Sequence, residues 1–361
     1  MKISKIVVTG GPCGGKSTGL RWIEENFTAM GYKVLFIAET ATELISGGVA
    51  PWTLGSNVEF QKCIMGLQLK KEAVFEYAAS TMDAEKILIV CDRGAQDNKA
   101  YMTEEEFAEV LLSENIDEIS LRDNYDGVFH LVSAAKGAEK FYTTANNTAR
   151  TETIEEASAL DDKLISVWTG HPHLRIIDNS TDFEGKMKKL MKEISSFLGE
   201  PEPFETERKF LIEYPDIRKL EANPFCEKSE ISQTYIIDET ADECRVRRRG
   251  KNGSFVYFRT AKTKVSDVKR IENEDKISEE EYNELLKKAD PGRKEIRKTR
   301  YCLVSGNQYF EIDIYPFWDD KAIMEIELCD ENQEIVFPDD IRVIKEVTDD
   351  DAYKNSNLAK L

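Results

Sequence analysis

The sequence predicts an α/β unit followed by a mostly antiparallel β unit, and three observations predict it. The chain has 361 residues, more than one domain of about 100–200 residues needs. In about its first 200 residues, short apolar runs alternate with amphipathic stretches of helical length. This alternation is typical of a parallel sheet with helices on both faces. Beyond it, polar and apolar residues alternate with period two, which indicates antiparallel strands.

The first half supplies the elements of the α/β unit in order. Buried strands are expected at Ile3–Thr9, Lys33–Ala38, Ile87–Cys91, Val128–Val132 and Leu174–Asp178. Helices are expected at Ser17–Met30, Val58–Ala79, Glu104–Leu112, Ile154–Trp168 and Lys186–Leu198. The stretch Gly199–Phe204 contains two prolines and a glycine, which interrupt both helices and strand ladders. We therefore predict domains at 1–199 and 203–361.

The second half supplies the strands of the antiparallel unit. They are expected at Glu205–Ile212, Ser232–Asp238, Glu243–Arg249, Phe255–Lys262, Lys294–Val304, Gln308–Tyr315 and Ala322–Cys329. Asn252-Gly253 and Gly306-Asn307 are turn signals between neighbouring strands. A helix near Ser278–Lys288 carries a capping-box pattern, Ser278 with Glu281.

The composition narrows the classes of partner. The 49 lysines and arginines against 68 aspartates and glutamates give a formal charge of -19, which argues against binding long nucleic acid. No apolar run approaches the roughly 20 residues of a membrane helix, and the N-terminus lacks the pattern of a signal peptide. Seven scattered cysteines form no CxxC pair, so we expect reduced thiols and a cytoplasmic protein. The oligomeric state is left open.

The motif G-x-x-x-x-G-K-[ST] occurs once, directly after the first predicted strand and before the first helix. Its fixed positions are Gly10, Gly15, Lys16 and Ser17. The neighbouring Gly14 and Thr18 are also expected to bind the nucleotide. In this context the glycines let backbone N–H groups surround phosphate oxygens, and the helix adds the positive end of its dipole. Lys16 is expected at the β- and γ-phosphates and Ser17 at Mg²⁺. The alternative is an ordinary glycine-rich turn.

Three further positions belong to this predicted nucleotide site. Asp92 ends an apolar strand where a P-loop enzyme needs a carboxylate for Mg²⁺ or its water. Together with Arg93 it resembles the acid–arginine pair of nucleoside kinases, in which the acid activates a hydroxyl; a solvated strand end is the alternative. Glu39 lies where small kinases of this shape have their acceptor pocket. Arg150 precedes a helix at the place of a kinase lid, and is otherwise a surface arginine.

The first half as a whole resembles small P-loop kinase-like ATPases of the AAA_28 type. The resemblance implies ATP or GTP as the ligand of the phosphate loop. It does not identify a phosphoryl acceptor.

The second predicted domain opens with E-x-E-x-K on a strand. Period two puts Glu205, Glu207 and Lys209 on one face. Two carboxylates on a buried face repel each other unless a cation lies between them, and hard oxygen ligands suit Mg²⁺ or Mn²⁺. Further charged pairs alternate in the same way along the later strands: Arg245/Arg247, Arg270/Glu272/Glu274, Lys298/Arg300, Glu311/Asp313 and Glu325/Glu327. The alternative is a set of solvated antiparallel faces.

From about Phe204 onward this pattern, with Gln233-Thr-Tyr235, resembles the CYTH domains, the triphosphate tunnel metalloenzymes. The resemblance implies an eight-stranded antiparallel tunnel that holds a linear triphosphate. It implies metal ligands at Glu205, Glu207, Glu325 and Glu327. It implies phosphate-binding side chains at Lys209, Arg245, Arg247, Arg259, Lys262, Lys298 and Arg300. Which of Arg259 and Lys262 has which role in binding phosphate stays open, because the strand carries an extra basic residue.

The two resemblances together predict a kinase-like ATPase fused to a metal-dependent triphosphatase. Cations neutralise the phosphate oxygens, the metal polarises the terminal phosphoryl group, and one acid holds the attacking water. That acid is Glu272, Glu274, Glu311 or Asp313. The expected substrate is inorganic tripolyphosphate or a nucleoside triphosphate, with RNA 5′-triphosphate ends left open. The alternatives are a nucleotide- or polyphosphate-sensing binding protein and an adenylyl cyclase.

Overall fold

The computed structural model describes residues 2–142, 153–200, 206–238, 241, 243–264, 270–328 and 333–360. It divides into two compact units, Met1–Ile194 and Ser195–Leu361. No helix among these residues is long and apolar enough to cross a membrane.

The first unit contains a parallel sheet of five strands. They are β1 (Lys2–Thr9), β2 (Lys33–Ile37), β3 (Lys86–Asp92), β4 (Gly127–Leu131) and β5 (Leu174–Ile177). Their order is β2–β3–β1–β4–β5, and all pairs are parallel. β1, β3 and β4 are almost entirely buried, which agrees with their continuous apolar sequences.

Helices connect these strands, and one more follows the last of them. They are α1 (Lys16–Ala29), α2 (Thr40–Ser46), α3 (Asn57–Ser80), α4 (Glu104–Glu114), α5 (Glu118–Arg122), α6 (Ile154–Trp168) and α7 (Phe183–Leu198). Side-chain caps fix where several begin: Thr153 accepts the N–H of Glu156, whose carboxylate accepts the N–H of Thr153 in return. A 3₁₀ segment, Ala95–Tyr101, follows β3.

The second unit contains an antiparallel sheet. Its strands are β6 (Thr206–Glu213), β7 (Cys226–Ile236), β8 (Glu243–Lys251), β9 (Ser254–Lys264), β10 (Arg270–Ile277), β11 (Ile296–Ser305), β12 (Gln308–Ile314), β13 (Lys321–Leu328) and β14 (Val343–Glu346). Three short helices accompany them: α8 (Ile217–Ala222), α9 (Glu279–Leu286) and α10 (Asn355–Leu358). The strand order is β10–β9–β8–β7–β11–β12–β13–β6–β14.

Two hairpin turns were readable from the sequence. Between β8 and β9, Asn252 and Gly253 have φ of 54° and 89°; between β11 and β12, Gly306 and Asn307 have φ of 56° and 61°. Positive φ at both central residues gives the twist that two-residue hairpins require, and Asn and Gly tolerate it best.

The predicted fold class is confirmed: a parallel sheet with helices precedes a separate antiparallel sheet. The resemblance implies eight strands in the second sheet, whereas the described residues form nine. The additional strand is β14, four residues with a register irregularity between Val343 and Lys345, which pairs with β6 at the end of the sheet. The helices α2 and α5 were not predicted either, because each has too few residues to show a helical period.

The antiparallel sheet has two chemically distinct faces. One face carries the apolar cluster around Phe210, Tyr301, Ile312 and Met324, against which Ile217 of α8 packs. The other face carries the alternating charged residues and is called the charged face below. At one end of that face Tyr315 and Ile323 join an apolar cluster, against which Leu358 of α10 packs. The period-two pattern therefore separates apolar packing from charge.

Candidate functional sites

The phosphate loop connects β1 to α1 and passes over the end of β4. A Cβ on Gly10 would lie 2.1 Å from the carbonyl oxygen of Leu131, and a Cβ on Gly14 would lie 2.6 Å from it. Gly15, at the N-cap of α1, has φ of 96°. Glycine is required at these positions by close approach or by backbone conformation. The first turn of α1 then presents backbone N–H groups that have no partner within the helix.

Lys16 lies beneath this loop. Its Nζ donates to the carbonyl oxygens of Gly10 (2.9 Å) and Gly11 (3.3 Å). Burial, together with the guanidinium of Arg93, lowers the pKa of Lys16 to about 8. The lysine is thus a half-buried cation whose hydrogen bonds within the loop are to neutral carbonyls, so an anion at the loop would gain a favourable charge interaction.

The end of β3 lies beside the end of β1, because Val8 is in register with Asp92. Burial raises the pKa of Asp92, and its Oδ1 is a buried atom without a hydrogen-bond partner. Arg93 has φ of 68° and donates through Nε to Glu39 Oε1 at 2.6 Å. Burial would raise the pKa of Glu39, but Arg93 lowers it. The structure thus brings together Lys16, Asp92, Arg93 and Glu39.

Other predicted members of this site are placed as follows. Ser17 and Thr18 lie in the first turn of α1, and the Ser17 side chain is exposed. Arg150 lies outside the described residues.

Sequence reasoning missed Asp161, a buried residue of α6 that accepts the N–H of Gly11 at 2.9 Å. A signal was present in the sequence. Asp161 falls four residues after Ala157 and four before Ile165, on the buried face of the helix. A carboxylate on such a face needs partners, because burying it unpaired is costly.

The second site is the charged face of the antiparallel sheet, and strand register assembles it. Lys209 is opposite Glu325, and Glu207 is opposite Glu327. Glu325 is in turn opposite Glu311. Side chains directly opposite on neighbouring strands are about 4.5–5.5 Å apart, so these residues form one continuous cluster.

The carboxylates of this cluster crowd one another. The neighbouring charge of Glu325 and burial raise the pKa of Glu207 to about 7, and Glu327 and Glu311 add to the effect. Lys209 Nζ lies 2.8 Å from Glu325 Oε1 and 3.4 Å from Glu207 Oε1. Burial would lower the pKa of Lys209, but Glu325 and Glu207 raise it. One lysine therefore does not balance the surrounding negative charge.

Next along the face is a network of ion pairs. Arg300 donates through Nε to Asp313 Oδ1 (2.7 Å) and through Nη2 to Asp313 Oδ2 (2.6 Å) and Glu325 Oε2 (3.0 Å). It also contacts Glu311, and Lys298 contacts Asp313. Burial opposes the charge of Asp313, but Arg300 and Lys298 hold its pKa below the usual range.

The strands β7 to β10 carry the third part of the face. Arg247 is opposite Gln233, and Arg245 is opposite Tyr235. Arg247 Nη2 contacts both carboxylate oxygens of Glu274, at 2.9 Å and 2.8 Å. Among the described residues, Arg247 contacts the carboxylate of Glu274, whereas Arg300 contacts those of Glu311, Asp313 and Glu325.

Arg259 and Lys262 are separated by the structure. Lys262 is opposite Glu243 and Glu272 in the ladders, in the same alternating set as Arg245. Arg259 is opposite Val246, on the other face, and pairs with Asp238 at 2.6 Å. The structure therefore does not bring Arg259 to the charged face, because three residues along a strand reverse the side.

No metal site of three or more histidine, cysteine, aspartate or glutamate side chains is formed among the described residues. Glu205 lies outside them. The chemistry of the cluster nevertheless fits a divalent cation: Glu207 Oε1 is buried without a hydrogen-bond partner, and neighbouring carboxylates raise the pKa of its group.

A family model described as AAA domain, AAA_28, matches residues 5–186, just over half of the chain. The chain belongs to the AAA_28 family. Its AAA domain contains the phosphate loop, β3 with Asp92, and Asp161. The P-loop character predicted for the first half is thereby confirmed.

Among the solved structures that match, two each share 29% identity with the chain and cover 43% of it. One is the crystal structure of the hypothetical protein NE1496, covered over 97% of its length with a TM-score of 0.31. The other is the crystal structure of the inorganic triphosphatase NE1496, covered over 94% with a TM-score of 0.30. No curated protein matches the chain.

Proposed function

We propose that the second unit hydrolyses a small triphosphate, inorganic tripolyphosphate or a nucleoside triphosphate, with the help of Mg²⁺ or Mn²⁺. The observation that carries the proposal is the charged face: crowded carboxylates on β6, β12 and β13 and basic residues on β8, β9 and β11 lie on one side of one sheet. A polyphosphate has the complementary pattern, with negative oxygens along its length and a metal-binding end.

The surroundings of each carboxylate on the charged face indicate its role. Glu207, with Glu327 opposite and Glu205 two residues before it, would hold the cation, which polarises the terminal phosphoryl group when bound. Glu325 has different partners, because Lys209 and Arg300 occupy its oxygens. It would therefore contribute mainly by fixing those cations.

The basic residues divide in the same way. Arg245, Arg247 and Lys262 face the substrate and neutralise oxygens that would repel an attacking water. Arg300 and Lys298 already have the carboxylates of Asp313 around them. We assign these two the role of holding Asp313 in place.

Phosphate release by the full chain tests this proposal. Tripolyphosphate and nucleoside triphosphates are supplied with Mg²⁺ or Mn²⁺ to the wild type, Glu207→Gln and Glu213→Gln. Glu213 is an exposed acid on the same strand, β6, so its variant is the matched control. Glu207→Gln should lower the rate by about 100-fold or more, and Glu213→Gln should not change it.

Other results assign other functions. Tight binding of tripolyphosphate without phosphate release would indicate a binding protein. Conversion of ATP to cyclic AMP and pyrophosphate, with no phosphate released, would indicate a cyclase, and release confined to RNA 5′ ends would identify an RNA triphosphatase. Any of these would refute hydrolysis of a small triphosphate.

For the first unit we propose binding of ATP or GTP and transfer of the γ-phosphoryl group. Lys16 contacts the phosphates, Ser17 the Mg²⁺, and Asp92 the metal or the acceptor hydroxyl, with Arg93 beside it. Titration with a fluorescent ATP analogue tests the binding step. Lys16→Ala should abolish binding by the first unit and leave binding and phosphate release by the second unit unchanged; loss of both activities would refute independent sites.

A further inference from the structure

Asp161 contacts polar groups from several parts of the AAA domain. Its Oδ1 accepts the N–H of Gly11 at 2.9 Å and of Ser133 at 3.0 Å, and lies 3.0 Å from His130 Nε2. Lys136 Nζ lies 3.2 Å from its other oxygen. Burial would raise the pKa of Asp161, but His130 and Lys136 lower it, so the buried group is ionised. One carboxylate thus joins α6, β4 and the phosphate loop.

The peptide group between Gly10 and Gly11 connects Asp161 to Lys16. Its N–H, that of Gly11, donates to Asp161 Oδ1, and its carbonyl oxygen, that of Gly10, accepts from Lys16 Nζ at 2.9 Å. The carbonyl oxygen of Gly11 accepts from the same Nζ at 3.3 Å. Ser133 Oγ also donates to the carbonyl oxygen of the next residue, Pro12, at 2.5 Å. The start of the loop is therefore fixed from the side of β4.

The residue at position 11 supports this connection. The P-loop pattern leaves the position free. In this fold, a Cβ at Gly11 would lie 2.7 Å from Asp161 Oδ1 and 2.9 Å from its Cβ. Glycine is required here because Asp161 approaches so closely, not because phosphate binding demands it.

Helix α6 also contacts the segment that follows Asp92 at the end of β3. Trp168 Nε1 donates to Asp97 Oδ1 at 2.9 Å, and Asp97 accepts the N–H of Gly94 at the end of β3. A Cβ on Gly94 would lie 2.6 Å from the Trp168 ring. α6 therefore contacts the phosphate loop through Asp161 and the strand end after Asp92 through Trp168.

We propose that Asp161 is a positioning residue, which holds the peptide group between Gly10 and Gly11, and through it the Lys16 side chain, in place for a nucleotide phosphate. The proposal rests on the nucleotide binding proposed for the first unit. Asp161 does not contact the phosphate itself. Its effect is on the conformation of the loop before the nucleotide arrives.

Two measurements on the full chain test the proposal. Hydrogen exchange of the backbone amides of residues 10–19, without nucleotide, reports the loop directly, with a peptide from β2 as reference. Titration with a fluorescent ATP analogue reports affinity. Asp161→Ala should speed exchange in the loop and raise the Kd, each by about tenfold.

Two further variants separate positioning from folding. Asp161→Asn keeps an oxygen for the two backbone N–H groups, so it should restore most of the affinity. Gly11→Ala displaces the carboxylate without removing it and should reproduce the faster exchange, which decides the matter if Asp161→Ala does not fold. Glu155→Gln, an exposed acid on the same helix, is the control and should match the wild type.

The outcomes are distinct. Wild-type exchange in the loop and a Kd within about twofold of wild type, in Asp161→Ala or Gly11→Ala, would overturn the positioning role. Absence of ATP binding by the wild type would instead refute the proposed function, and the exchange measurement would still decide whether Asp161 fixes the loop.

Discussion

The phosphate loop of the first unit and the charged face of the second both concentrate charge, but different groups balance it. In the loop, Lys16 is surrounded by backbone carbonyls, and its pKa is lowered. On the charged face, Arg300 is surrounded by Asp313, Glu311 and Glu325, and despite burial its pKa is raised well above the usual range. The loop is made by consecutive residues and the backbone, whereas the face is made by side chains from many strands.

This difference predicts that removing the cation of Arg300 lowers the stability of the protein, whereas removing that of Lys16 does not. Arg300→Met leaves three carboxylates near one another in a buried place, so the free energy of unfolding should fall by about 3 kcal/mol. Lys16→Ala removes a poorly compensated charge and should change stability little. Thermal and urea denaturation of both variants measure this. An Arg300→Met protein as stable as the wild type would show that its carboxylate contacts contribute nothing.

The same contrast explains what the sequence could predict. The phosphate loop, its strand and its helix are consecutive, so a local pattern predicted Lys16 and the bounds of β1 and α1 within a few residues. Asp161 contacts Gly11 from 150 residues away, and no local pattern reports such a pair.

On the charged face, the period of two predicted which residues share a side, and strand register confirmed it for Arg245 and Arg247. The same period places Arg259 and Lys262 on opposite sides of the sheet, because they are three residues apart. The strand β14 was missed because its four residues are too few to show an alternation.

Adjacent arginines on β8 test the assignment of the face. Arg247 lies on the charged face, whereas Arg248 lies on the other face, over the ring of Phe255 at 4.9 Å. Arg247→Ala should raise the KM for tripolyphosphate by about tenfold or more, because it removes a charged contact to a phosphate. Arg248→Ala is the matched control and should leave KM unchanged. Equal effects of the two would contradict the division of the sheet into two faces.

The lowered pKa of Lys16 predicts a pH dependence in the first unit. The side chain is protonated below about pH 8 and loses its charge above it. Affinity for ATP should therefore be constant from about pH 6.5 to 7.5 and fall at higher pH, by at most about tenfold per pH unit. The pKa of Lys16 also depends on its charged neighbours: Arg93 lowers it, and it is raised by Asp92, Glu39 and Asp97.

The control for this prediction is Lys16→Arg, whose guanidinium does not titrate in this range. Its ATP affinity, whatever its absolute value, should be independent of pH up to about 9.5. If wild type and Lys16→Arg show the same fall above pH 8, another group titrates and Lys16 is not responsible.

Two helix caps give the smallest expected effect and test whether the units unfold independently. Thr153 accepts the N–H of Glu156 at the start of α6, and Ser278 accepts that of Glu281 at the start of α9. Each change to alanine should destabilise its own unit by about 1 kcal/mol, since an orphan backbone donor loses its partner. Scanning calorimetry with and without ATP, on the wild type and on Lys16→Ala, identifies the transition of the first unit as the one whose stabilisation by ATP requires Lys16, because a ligand stabilises the unit that binds it. Thr153→Ala should lower that transition and Ser278→Ala the other. If both variants shift a single common transition, the two sites belong to one cooperative unit, and the contrast between them concerns local chemistry rather than separate folding.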